Sequence, residues 1–289
     1  MKSDPPPPQN PRLGFFAQAS GVDVVAHRGG NGEWPGETTY AFTRALEIGA
    51  DVIEMDVWGT ADDPPVLVLM HSSDISKVTE SSGKVSSLKF KELENLNAAY
   101  QWSPDGGRTF PFRTEPVLRI ARLDEVLKEF KDQRMNIEIK QKRPSIVKPM
   151  LDLIERSGVP TENLLIASFY TAVLKEFRKE CERRSLPIAT SASTWEWVRY
   201  YFGNYLLHIP YRPPTEAVQM RERLLGFWLL TRGFIRKAHN AGLKVHAWTV
   251  DDPADMQRAI VNGIDGIITD FPTRLRAILD EPSRAPRVS

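Results

Sequence analysis

Strand-like and helix-like runs alternate from residue 22 to residue 280, and this rhythm limits the folds open to the chain. Short runs of β-branched and aliphatic residues stand at VDVVAH (22–27), VIEMDV (52–57), NIEIK (136–140) and LLIASF (164–169). Four more follow at PIATS (187–191), LLHIP (206–210), KVHAWTV (244–250) and GIIT (266–269). Helical periodicity fills the gaps over 38–48, 123–131, 145–157, 171–183, 194–202, 231–241, 253–262 and 272–280. Eight strand–helix units predict an α/β fold, a (β/α)8 TIM barrel. A doubly wound open sheet competes, but no glycine-rich dinucleotide fingerprint follows the first run. VLVLMH (66–71) adds a strand expected to pair beside the second. Residues from about 58 to 118 lose the rhythm, hold one predicted helix over 87–99, and read as a small inserted subdomain.

A chain of 289 residues can bury one large core. Its net charge of +1, with basic residues dispersed, gives no electrostatic case for nucleic acid. The single cysteine, Cys181, excludes an internal disulfide and sits in the charged run FRKECERR, where no redox role is suggested. No apolar run is long enough to span a membrane. LLGFWLL (224–230) reads as a buried loop or helix face, with an apolar groove as the alternative. The start, MKSDPPPPQNPR, lacks a signal-peptide core and is too proline-rich to fold. Residues 1–12 are therefore expected to be a disordered leader, and 13–289 one domain. The default expectation is a soluble cytoplasmic protein, with export open if a signal was removed; oligomeric state is not legible.

Barrel chemistry gathers at the C-terminal ends of strands. In VIEMDV the i, i+2 rule sends Glu54 and Asp56 to one face while Ile53, Met55 and Val57 take the other. Two like charges driven inward need a positive partner, because unpaired burial costs several kcal/mol per ion. NIEIK places Glu138 and Lys140 on one face by the same rule, and the first run ends in His27-Arg28. His71 ends VLVLMH, and His246 and Trp248 share one face of KVHAWTV. Glu54, Asp56 and Glu138 suit one hard divalent ion, Ca²⁺ or Mg²⁺. The histidines are then free for acid–base work near neutrality. Arg28 and Lys140 beside a cation call for an anionic small molecule, and phosphate fits best. Trp248 either packs in the core or walls the site. His208, His239 and the aromatics Trp195, Trp197, Tyr200 and Tyr201 read as packing or surface.

The motifs AHRGGNGEWPGETTYAF (26–42), GADVIEMDVWGT (49–60), VLVLMH ending at His71, NIEIK, HAWTVDDPADM (246–256) and GIDGIITDFP (263–272) stand in order along the chain. Together they resemble the glycerophosphodiester phosphodiesterases, and the segment AAYQWSPDGG is similar to the branch with lysophospholipase D-type members. The resemblance implies a barrel with an inserted subdomain that hydrolyses glycerophosphodiesters to an alcohol and glycerol 3-phosphate. It implies Glu54, Asp56 and Glu138 as metal ligands, His27 and His71 as the acid–base pair, and Arg28 and Lys140 on the phosphate. Two departures stand out. The family's Pro-Glu-Asn-Thr is here Pro35-Gly36-Glu37-Thr38, and Ser72 replaces the aspartate that usually follows the second histidine. A lysophospholipase D, and a catalytically dead barrel that binds phosphate ligands, are the alternatives.

Overall fold

A computed structural model describes residues 10–114 and 117–281. Its strands are β1 (Asp23–Ala26), β2 (Val52–Gly59), β3 (Leu67–Leu69), β4 (Arg134–Ile139), β5 (Leu164–Ala167), β6 (Ala189–Thr190), β7 (Ala217–Met220), β8 (Arg223–Leu224), β9 (Phe227–Trp228), β10 (Lys244–Ala247) and β11 (Gly266–Thr269). Eight of them run parallel in the order β6-β5-β4-β2-β1-β11-β10-β7. A parallel bridge between Ser191 and Ala217 joins the two ends of that order, so the sheet closes into an α/β barrel. β3 pairs antiparallel with β2 outside the ring.

The two-residue side-chain period sorts the strands' residues between two cores. Ile53, Met55 and Val57 of β2, with Met135, Ile137 and Ile139 of β4, pack outward beneath the helices. Each such side chain contributes about 1.5–3 kcal/mol relative to exposure. Val25, Val52, Leu165, Ala217 and Ile268 meet inside the barrel. Glu54, Asp56, Asn136 and Glu138 alternate with the outward set and so point along the axis. Helices such as Thr39–Glu47 and Pro253–Asn262 begin at side-chain caps, Thr38 accepting from the Ala41 amide and Asp252 from the Ala254 amide.

Four expectations need correction. LLHIP is not a strand. The helix Thr194–Val198 continues as a π-helical stretch, Arg199–Leu206, and leaves Leu207 and Ile209 exposed. The sixth barrel strand is instead Ala217–Met220, where Gln219 points into the barrel and interrupts the apolar signal. The helix over 87–99 shrinks to a 3-10 turn, Val85–Ser87, and a single turn, Phe90–Leu93. Asn97 stops it: its side chain accepts from the Ala99 amide and donates to the Phe112 carbonyl. LLGFWLL forms the β8–β9 hairpin, with Leu229 and Leu230 buried at its base and its tip in solvent.

Of the expected leader, residues 1–9 lie outside the described residues. Pro11–Leu13 form a 3-10 turn rather than disorder, and it feeds the short helix Gly14–Ala17. Phe15 and Phe16 of that helix plug the N-terminal end of the barrel. Beyond β3, Val68, Met70, Ile75, Val85, Leu93 and Ile120 form a separate small core under the irregular segment.

Candidate active site

β2 and β4 are in register so that Asp56 lies beside Glu138 and Glu54 beside Asn136. One carboxylate oxygen each from Glu54, Asp56 and Glu138 lie within 4.8 Å of one another. Few positive groups answer them. Arg28 Nε is 3.4 Å from Asp56 Oδ2, and Lys140 Nζ is 3.4 Å from Asp56 Oδ1 and 3.3 Å from Glu138 Oε1. Asp56 Oδ2 and Glu138 Oε1 are nevertheless buried without a hydrogen bond among the described residues. Burial, then the charge of Asp56, pushes Glu54 up to about 7 and Glu138 up to about 8. Burial lowers Lys140, but the charges of Asp56 and Glu138 outweigh it and raise the ammonium's pKa. Three clustered carboxylates with lone pairs to spare form an oxygen donor set that fits one hard divalent cation.

The turn that follows β1 sets the rest. Arg28 has φ +54, a left-handed conformation rare for a side chain of its size, between His27 and Gly29 at φ +83. A Cβ at Gly29 would stand 2.8 Å from Ala41 Cβ and 2.9 Å from Phe42, so only glycine lets the turn pack on the helix. This turn aims the Arg28 amide at Glu54 Oε2, 2.8 Å away. His27 Nδ1 lies 2.7 Å from Asp270 Oδ1. Burial pulls the His27 imidazole down, but the Asp270 hydrogen bond and the Glu54 charge outweigh it and the net pKa is raised.

His71 is held differently. Ser72 accepts from the Asp74 amide and leaves His71 without a hydrogen-bond partner among the described residues. Partial burial, then the charge of Arg28, lowers its imidazole to about 4. Glu37 does not join the acidic cluster. It is buried at φ +62, and its carboxylate accepts from the Asp56 amide at 3.1 and 3.2 Å. A Cβ at Gly36 would meet Asn31 Oδ1 at 2.7 Å and Arg28 Cβ at 3.1 Å, so this loop leaves no room for a side chain there.

A cavity of about 400 Å³ opens over these groups, and a second of about 320 Å³ lies toward the irregular segment. Arg28 and His71 border both. Trp248 walls the first, with Phe169 edge-on at 5.4 Å and the Arg221 guanidinium 5.2 Å above its ring. His246 lies deeper, buried against Gln219 and Phe16 and away from the mouth. His239 pairs with Asp265 on the outer surface at 2.6 Å.

The model of the glycerophosphoryl diester phosphodiesterase family matches residues 27–274. The chain belongs to that family. It is thereby placed among the phosphoric diester hydrolases. The probable glycerophosphodiester phosphodiesterase 2 of Mycobacterium tuberculosis is 30% identical over 91% of this chain and 93% of its own length. Human lysophospholipase D GDPD3 is 26% identical over 93% of this chain and 88% of its own. A solved phosphodiesterase of Oleispira antarctica, in complex with the product sn-glycerol-3-phosphate, superposes with a TM-score of 0.69 at 20% identity, covering 92% and 99% of the two chains.

Three residues of this phosphodiesterase's site escaped the sequence reading. Asp270 ends β11, so the strand-end rule could have found it. Arg221 follows Ala217–Met220, a strand that LLHIP (206–210) obscures in the sequence, and Phe169 reads as an ordinary apolar strand residue.

Proposed function

We propose that this chain hydrolyses glycerophosphodiesters to an alcohol and glycerol 3-phosphate, using one divalent ion, Ca²⁺ or Mg²⁺, held by Glu54, Asp56 and Glu138. The observation that carries the reading is the buried carboxylate cluster, with two oxygens that lack a hydrogen bond, beside Arg28 and Lys140. When bound, the ion supplies charge neutralisation for the phosphoryl oxygens. Arg28 and Lys140 hold the phosphate from the protein side. His71, neutral at pH 7, takes the proton of the attacking hydroxyl, either water's, which gives glycerol 3-phosphate directly, or the glycerol arm's, which gives a cyclic phosphate that water then opens. His27, its pKa raised against burial by the Asp270 hydrogen bond and the Glu54 charge, gives its proton to the departing alkoxide. Two cavities meeting at Arg28 and His71 suit a phosphate with two substituents better than a monoester.

The test is turnover of an aryl phosphodiester and of glycerophosphocholine, with and without chelator. Turnover of both, abolished by chelator and restored by Ca²⁺ or Mg²⁺, supports the reading. Ion binding without hydrolysis of either would leave a binder in place of an enzyme. A second reading, lysophospholipase D releasing lysophosphatidic acid, is favoured by exposed Phe169 and Tyr170 at the cavity's edge. Preference for lysophosphatidylcholine over glycerophosphocholine would select it.

A further inference from the structure

The mouth of the barrel is chemically lopsided. On the side of β4 to β7, six large apolar residues stand in solvent just past the strands' C-terminal ends: Phe169, Tyr170, Trp195, Leu224, Leu225 and Phe227. Trp195 is 73% exposed, Phe227 75% and Leu225 90%. Lys142, Arg143 and Arg221 lie exposed in the same loops. Glu222 is the one acidic residue of those loops (140–146, 168–170, 191–193 and 221–230). Across the mouth, the loops after β10 and β11 present Asp251, Asp252 and Asp270 instead.

The β8–β9 hairpin is the sharpest element of this half-rim. Leu225 and Gly226 form its turn at φ +50 and +82, a conformation that favours asparagine or glycine at the first position. Leucine there is disfavoured by backbone sterics and by solvent alike. The stem is anchored all the same. Arg223 binds Asp255 at 3.2 and 2.5 Å, and Trp228 donates to the Leu230 carbonyl at 2.8 Å beneath the guanidinium of Arg258, 4.4 Å from its ring. A firmly held finger with an apolar tip is not a segment awaiting burial within its own fold. It needs a partner that takes up single protruding side chains on several loops at once.

We infer that this half-rim docks on an anionic lipid bilayer, with the hairpin tip entering the interface and the cavity facing the membrane. Aromatic and aliphatic tips flanked by lysine and arginine match the interfacial layer of such a surface, where rings lie at headgroup depth and cations meet lipid phosphates. The carboxylates after β10 and β11 stand across the mouth from these cations, so the β4 to β7 side meets the surface first. A protein partner would call for a continuous complementary patch, whereas these side chains rise separately around an opening.

Vesicle co-sedimentation of the full chain tests this without any reading of turnover, so it stands or falls apart from the proposed reaction. The probes are vesicles of phosphatidylcholine alone and of phosphatidylcholine with phosphatidylglycerol. Binding to the mixed vesicles is expected to exceed binding to the neutral ones. The double change Leu225→Asp and Phe227→Asp should cut it by at least about tenfold. Lys142→Gln with Arg143→Gln should cost about fivefold per cation on the mixed vesicles and little on the neutral ones. Unchanged melting temperatures would show both variants folded. Absence of wild-type binding to either vesicle, or equal binding by the hairpin variant, would overturn the inference. So would a wild-type dimer that the hairpin variant dissolves, because the tip would then be an interface between copies.

Discussion

At the N-terminal end of the barrel Arg134 grips Asp23 through two hydrogen bonds of 2.8 and 2.7 Å, roofed by the ring of Phe15. Toward the opposite end, Glu54, Asp56 and Glu138 crowd together, and Asp56 Oδ2 and Glu138 Oε1 are buried without a hydrogen bond among the described residues. Both are charges taken out of water inside one barrel, and β4 contributes to each, Arg134 to one and Glu138 to the other. The lower pair is closed by its own geometry, a bidentate fork on a carboxylate. The upper cluster is left one cation short. Structure is completed within the chain; reactivity is left to be completed by something that binds.

Exchanging the two ends in this respect should produce opposite phenotypes. Glu138→Gln is expected to lower phosphodiester turnover by at least about a thousandfold, because it removes one of the three carboxylates proposed to hold the ion. The same change should raise the melting temperature of the ion-free protein by relieving like-charge burial. Asp23→Asn should do the reverse. It leaves Arg134 buried without its counter-charge, costs about 3–5 kcal/mol of stability by denaturant titration, and spares the turnover of the protein that remains folded. Should Asp23→Asn prove harmless, or Glu138→Gln destabilise the ion-free fold, the contrast between the ends would be broken.

The histidines allow a finer contrast within the site. His27 is tied to Asp270 and His71 has no such partner among the described residues. Asp270→Asn is expected to lower kcat by about a hundredfold and move the alkaline limb of the pH–rate profile to lower pH, since His27 then loses its proton sooner. KM should change little. An unmoved alkaline limb would take the acid role from His27.

Smallest is the effect of pH on ion-free stability. Glu54 and Glu138 bind protons more tightly folded than unfolded, so the ion-free fold loses stability as pH rises from the ordinary carboxylate range through about 7 and 8. Added Ca²⁺ should therefore raise the melting temperature by more at about pH 8.5 than at about pH 6. Equal shifts at both would mean that the cluster is not the ion's site.

How much of this was legible in the sequence follows from which residues announce themselves. VIEMDV and NIEIK place charged residues at every second position of apolar strands, a pattern that a sheet covered on both faces renders as inward carboxylates. Hence Glu54, Asp56, Glu138 and Lys140 were readable, and the structure brings them together with His27, Arg28 and His71. β7 was not readable, because AVQM is short and its inward Gln219 masks the period, while LLHIP imitates a strand with side chains that end in solvent. The change from Glu to Gly at 36 was visible, but its meaning was not. Only coordinates show Glu37 turned onto the Asp56 amide.

Calorimetric titration of the chelator-treated protein with Ca²⁺ and Mg²⁺ tests the central claim most directly. One ion should bind per chain, with protons released as the raised carboxylates ionise, and Glu138→Gln should abolish both signals. Binding of equal strength in that variant, or none in the wild type, would contradict the account.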